Sequence, residues 1–133
     1  IAAAVLAAFP NNAAGDRRTA RLDAGTPASV RRALEFIEAH AREPLTLEEI
    51  ARSASVGPRA LQEAFRRHRG TTPLAHLRET RLERAHRELL AADPACGVTV
   101  AAVAGRWGFA HRGRFADAYR RAYGRAPQQT LLS

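Results

Sequence analysis

Four residues directly after a proline carry groups suited to reading base edges: Arg59, Ala60, Gln62 and Glu63. Arginine can bond bidentately to guanine and glutamine to adenine, while glutamate can accept from cytosine. Arg66 and Arg67 follow at a distance better suited to phosphates, which position a protein without reading sequence. A second group occurs later in the chain, where His111, Arg112, Gly113 and Arg114 precede Arg120 and Arg121. Ala116 and Asp117 there hold the places of Gln62 and Glu63. The remaining reactive residue types form no comparable set. The histidines at 40, 68, 76, 86 and 111 are scattered, and none has metal-ligand spacing with Cys96. There is no glycine-rich phosphate loop, no Ser/His/Asp grouping and no paired carboxylates on an apolar background. Neither an enzyme nor a cofactor or metal site is expected.

The elements that must present these residues are written twice. Thr46, Ile50, Ala51 and Val56 recur as Thr99, Val103, Ala104 and Phe109 at a constant offset. After one inserted residue, Leu61, Ala64, Phe65, Arg66, Arg67, Gly70 and Pro73 recur as Phe115, Ala118, Tyr119, Arg120, Arg121, Gly124 and Pro127. A repeat on this scale decides the fold before any local propensity does. Each copy reads as helix, tight turn, helix, glycine stop and proline, which is the helix-turn-helix plan.

In the first copy Thr46 caps a helix and Glu49 completes a capping box. Leu47, Ile50, Ala51 and Ala54 form its inner side. Ser55-Val56-Gly57 is the turn, with Gly57 expected in the unusual backbone angles and Val56 as the plug between the helices. Pro58 opens the second helix, with Leu61, Ala64 and Phe65 inward, and Gly70 ends it. In the second copy Thr99 is the cap, Gly108-Phe109 the turn and plug, and Pro127 begins a last short turn. Trp107 and Phe109 fall at packing positions, so they read as core rather than as stacking groups.

Between the copies, Thr72-Pro73 begins a longer helix that ends before Asp93-Pro94. Leu74, Leu77, Leu82, Ala85 and Leu89 are its expected buried side. Glu83 with Arg87 and Arg84 with Glu88 have the spacing for ion pairs along it. Ala95-Cys96-Gly97 then reads as a short loop. Ahead of the first copy, Thr26 and Pro27 are the expected cap and first residue of a helix carrying Val30, Leu34, Ile37 and Ala41, with Phe36 off that stripe. Ile1–Phe9 could form two turns of helix, and Asn11–Gly25 lacks periodicity, as a linker would.

Composition agrees with an all-α fold. Apolar residues make up 46% of the 133, many of them alanine, and aromatics only 6%, which suits close-packed helices better than strands. Arginine supplies every one of the 21 cations against 13 acids, for a net charge of +8. That surplus points to a polyanionic partner, nucleic acid first. One cysteine excludes an internal disulfide and fits a reducing, cytoplasmic setting. No apolar run approaches the roughly 18 residues of a membrane helix.

From Pro27 to Gln129 the chain resembles the DNA-binding domain of AraC/XylS transcription regulators. The resemblance lies in LTLEEIARSASVGPRALQEAFRRHRGTTP, in RLERAHRELL and in GFAHRGRFADAYRRAYGRAP. Gly108, Phe109, Phe115, Tyr119, Gly124 and Pro127 match the second unit's GF turn, its aromatic-rich helix and its G-x-x-P ending. The resemblance implies a homeodomain-like fold of about seven helices, with helix-turn-helix units at 26–72 and 93–133 joined by a linker helix at 73–92. Residues 1–25 would then be the tail of an N-terminal sensor plus a linker. It also implies double-stranded DNA as partner, transcriptional activation as the commoner outcome, RNA polymerase as a further contact, and an effector and dimerisation served by the sensor. Gly113 and Asp117 depart from the family, which tends to have a small polar residue at the first position and often a basic one at the second. Both departures weaken the second unit's claim to base contacts. The rival reading is a basic helical module for RNA or an acidic protein. RNA recognition usually brings exposed aromatics for stacking, and those here read as buried.

Overall fold

The computed structural model describes residues 26–133. The expected early helix and linker of residues 1–25 lie outside them. Seven α-helices follow in order: α1 Ala28–Ala39, α2 Leu47–Ser53, α3 Pro58–Arg69, α4 Pro73–Ala91, α5 Val100–Arg106, α6 Arg112–Tyr123 and α7 Pro127–Leu132. There are no strands among the described residues.

Two hydrophobic cores form, one for each copy of the repeat. In the first, Val30, Ala33, Leu34 and Ile37 of α1 meet Ile50 and Ala51 of α2 and Leu61 and Phe65 of α3. In the second, Val103 and Ala104 of α5 meet Phe115 and Tyr119 of α6 and Leu131 of α7. The linker helix α4 serves both, because Leu77 near its start belongs to the first core and Ala85 and Leu89 near its end to the second. Trp107 packs against both. The helices other than α4 have 12 residues or fewer, too short to be stable alone, so burial of their apolar stripes holds them in place.

The local signals mostly act where expected. Thr46 Oγ1 accepts from the Glu49 amide at 3.1 Å while Glu49 Oε1 accepts from the Thr46 amide at 2.9 Å. Thr72 and Thr99 cap α4 and α5, each accepting from the amide three residues on at 3.1 Å. Gly70 and Gly124 end α3 and α6 in the left-handed conformation, at φ 68° and 74°.

Several expectations are corrected. Pro27, not Thr26, is the residue before α1, and no side chain caps that helix. The left-handed residue of the first turn is Ser55 (φ 60°), not Gly57. Gly57 is extended at φ −77°, ψ 160° and only precedes α3, so the inversion falls one residue after the helix cap, as it does at Gly108 (φ 82°). Leu74 is 45% exposed. Pro73 and Thr80 are buried on α4 instead, because the stripe turns as the helix passes from one core to the other. Pro94–Cys96 is a turn of 3-10 helix rather than a plain loop. The final turn is a helix of six residues, and its Thr130 and Leu131 are buried.

Candidate nucleic-acid interface

Packing two faces of α3 against the first core leaves a third for solvent. Leu61 and Phe65 are fully buried and Ala64 is half-buried. Arg59, Ala60, Gln62, Glu63, Arg66 and Arg67 are all exposed on the remaining surface. Proline at the first helical position fixes the start of α3, so the base-reading candidates fall within its first two turns.

The second unit repeats the arrangement with different chemistry. His111 is the residue before α6, its backbone extended and its side chain making no capping bond. Arg112, Gly113 and Arg114 are exposed in the first turn. A Cβ at Gly113 would meet nothing within 4 Å, so no crowding requires glycine there. Ala116 is half-buried and Asp117 exposed. Asp117 stands 3.7 Å from Arg120, which offsets part of one phosphate candidate's charge, while Arg121 is left exposed.

Polar contacts fix the two units relative to each other. Arg81 of α4 donates from Nε to the Ala41 carbonyl at 2.7 Å and from Nη2 to the Glu43 carbonyl at 2.6 Å. Those carbonyls lie just past α1, so one linker side chain holds the exit of the first unit's opening helix. Burial lowers the Arg81 pKa from its ordinary value. The same guanidinium lies against the turn of the second unit, where a Cβ on Gly108 would stand 3.5 Å from Arg81 Nη1. Trp107 donates from Nε1 to Glu88 at 2.8 Å, Arg106 pairs with Glu88, and Arg42 sits 5.5 Å from the Trp107 ring centre. Glu88 is thus committed to Arg106 and Trp107 rather than to Arg84. The expected Glu83–Arg87 pair is present at 3.2 Å.

Sequence reasoning overlooked this junction. Arg81 was one charge among several on the linker, and its carbonyl partners lie far away in the chain. Trp107 was recognisable as core, but not as the residue that touches both cores.

Two exposed recognition helices on a repeated helix-turn-helix, joined by a shared helix, define a DNA-binding domain of transcription regulators. The family described as a helix-turn-helix domain matches residues 50–133. The chain is 45% identical over 106 residues to a probable thc operon regulatory protein of Rhodococcus erythropolis, covering 79% of this chain and 31% of that protein. It is 39% identical over 108 residues to the XylDLEGF operon transcriptional activator of Pseudomonas putida, covering 80% and 33%. A solved probable AraC family transcriptional regulator from Rhodopseudomonas palustris superposes with a TM-score of 0.73 at 37% identity, covering 80% of this chain and 96% of that one. The DNA-binding domain of AdpA, solved in complex with a target DNA, superposes at 0.67 with 26% identity, covering 80% and 92%. The chain belongs to the AraC family of DNA-binding regulators. It spans about a third of the length of the two operon regulators. Among the described residues no helix is long and apolar enough to cross a membrane.

Proposed function

We propose that the domain reads duplex DNA as a single protomer, with α3 and α6 in successive major-groove segments on one face. The proposed unit boundaries are 26–72 and 93–133, with 73–92 as the linker. The observation that carries the reading is the junction at Arg81 and Trp107, because two helices held in fixed relation can address two groove segments at a fixed spacing. At about 1.5 Å per residue, the 19 residues of α4 span about 28 Å. With the thickness of the flanking elements added, that length suits the roughly 34 Å of one DNA turn.

In this reading Arg59, Ala60, Gln62 and Glu63 face bases in one segment, and His111, Arg112, Gly113 and Arg114 in the other. Arg66, Arg67, Arg120 and Arg121 hold phosphates. The names of the Pseudomonas relatives support activation of an operon as the output. Contact with RNA polymerase, an effector and dimerisation are proposed for a longer regulator of this family.

The test is selection from a random duplex pool at two salt concentrations. Two short motifs about one helical turn apart are expected; a single motif would limit the second unit to the backbone, and no enrichment with no salt dependence would sink the proposal. Gln62→Ala should then relax preference at one base pair at a cost of about 1–3 kcal/mol. Unchanged preference in that variant would remove Gln62 from the reading set.

A further inference from the structure

One exposed basic residue of the linker helix, Arg78, has no part in the duplex reading above, although it shares a groove with Arg114 and Arg121 of α6, which do. A groove of about 420 Å³ runs between α4 and the flank of α6, lined by Arg78, Phe109, Arg114, Asp117, Ala118 and Arg121. A larger one, of about 710 Å³, shares Arg78, Phe109 and Arg114 with it and continues along α4 past Leu74 and Arg81. The shared residues make the two a continuous trough between the units.

Three exposed arginines from two helices line this trough. No carboxylate among the described residues lies within ion-pair distance of Arg78, Arg114 or Arg121. The acids on the trough are Asp117, which is paired with Arg120, and Glu79. Arg81 reaches the trough too, but its Nε and Nη2 donate to the Ala41 and Glu43 carbonyls, which hold it to the first unit. Three guanidinium groups without acid partners repel one another, and an anion placed among them relieves that repulsion.

We infer that Arg78, Arg114 and Arg121 form a third DNA contact, gripping the sugar-phosphate backbone of the stretch between the two major-groove segments. The inference rests on the duplex reading proposed above. Phosphate fits better than a base edge because the three arginines line one groove from separate helices, on the flank of α6. Base readout needs side chains projecting from the outward ridge of one helix. Arg114 therefore changes role, from a base reader to a backbone clamp shared with the linker helix. Arg78 becomes the residue that ties the linker itself to DNA.

The experiment uses the whole chain and a duplex carrying its selected motifs, with Arg78→Ala and Arg78→Lys compared over a range of salt. Arg78 is exposed, so the helical circular dichroism and melting of both variants should match the parent. Arg78→Ala should weaken selected and unselected duplexes by the same factor, roughly tenfold near 0.1 M salt, and reduce the salt slope by about one. Arg78→Lys should restore most of the slope, since a phosphate requires charge more than fork geometry. Neutral methylphosphonates between the motifs should weaken the parent more than Arg78→Ala, which keeps only Arg114 and Arg121 against that stretch.

Unchanged affinity and slope in Arg78→Ala would overturn the inference while leaving the duplex reading intact. A loss confined to one base pair would also overturn it, by making Arg78 a base reader. Stabilisation of the DNA-free parent by millimolar inorganic phosphate, absent in Arg78→Ala, would overturn it in favour of a free-anion site. A parent that binds no duplex at any salt would sink both readings.

Discussion

Where the first helix-turn-helix buries Phe65, the second buries Tyr119, and the two cores diverge from that point. Phe65 has no polar atom, and its ring lies 6.3 Å from that of His76. Tyr119 is equally buried, but its hydroxyl donates to Thr130 Oγ1 at 2.8 Å and stands 2.5 Å from His86 Nδ1. With the phenolic proton given to Thr130, the imidazole Nδ1–H is the donor to Tyr119. His86 also stacks on Tyr123, with centroids 3.8 Å apart and planes 11° from parallel. One unit is therefore closed by apolar packing, and the other by a chain of hydrogen bonds linking α4, α6 and α7. On the outside the contrast reverses: the first unit presents Gln62 and Glu63, where the second has Ala116 and Asp117. The same backbone plan accepts polar chemistry within the core or on the recognition face, provided each buried polar atom finds a partner.

The sharpest way to break the comparison is Tyr119→Phe, which makes the second core resemble the first. It leaves Thr130 Oγ1 and His86 Nδ1 without their shared partner, and about 1–3 kcal/mol of stability should go with it. Urea denaturation of the variant and the parent measures the difference. A neutral result would mean that the hydrogen-bond chain does not stabilise the second unit.

The turns differ less, and in the opposite direction. Ser55 holds a left-handed conformation that costs a residue with a Cβ about 1–2 kcal/mol, while Gly108 holds it freely. Ser55→Gly should stabilise the first unit by up to about 1 kcal/mol, since glycine also gains freedom in the unfolded chain. Gly108→Ala should destabilise the second by about 1–2 kcal/mol. The added methyl would sit at ordinary contact distance, 3.5 Å from Arg81, so the backbone accounts for the cost. Thermal melts of the two variants should move in opposite directions; shifts of the same sign would show that the turns are not equivalent.

The repeat explains why so much was legible from residue order alone. Helix starts at Thr46, Thr72 and Thr99 and stops at Gly70 and Gly124 are local signals, and local physics decides them. What escaped depends on contacts between distant parts of the chain. Gly57 looked like the inverted residue because glycine tolerates inversion best, yet the turn places Ser55 there. Leu74 fitted an apolar stripe that holds only if one helix face meets one core, whereas α4 meets two. Of the interface, the exposed residues on α3 and α6 were readable as a pattern. The Arg78 trough was not, because it needs α4 and α6 side by side.

The smallest expected difference between the units is in pH response, and it is the most selective. Burial lowers the His86 pKa below its ordinary 6.5; nearby Glu83 opposes the shift and Arg125 adds to it. The folded chain therefore resists a proton that the unfolded chain accepts. Stability from this source is complete above pH 6.5 and is lost as pH falls below that value toward the folded pKa. The effect should be local, since His86 bonds to α6 and stacks on its last residue. Amide hydrogen exchange, corrected for its intrinsic pH dependence, should show α6 and α7 opening more readily at pH 5 than at pH 7.5, relative to α2 and α3. His86→Gln keeps a donor for Tyr119 and does not titrate, so it should abolish the differential. Equal changes in both units, or a differential that survives in His86→Gln, would show that the second core's sensitivity to acid has another source.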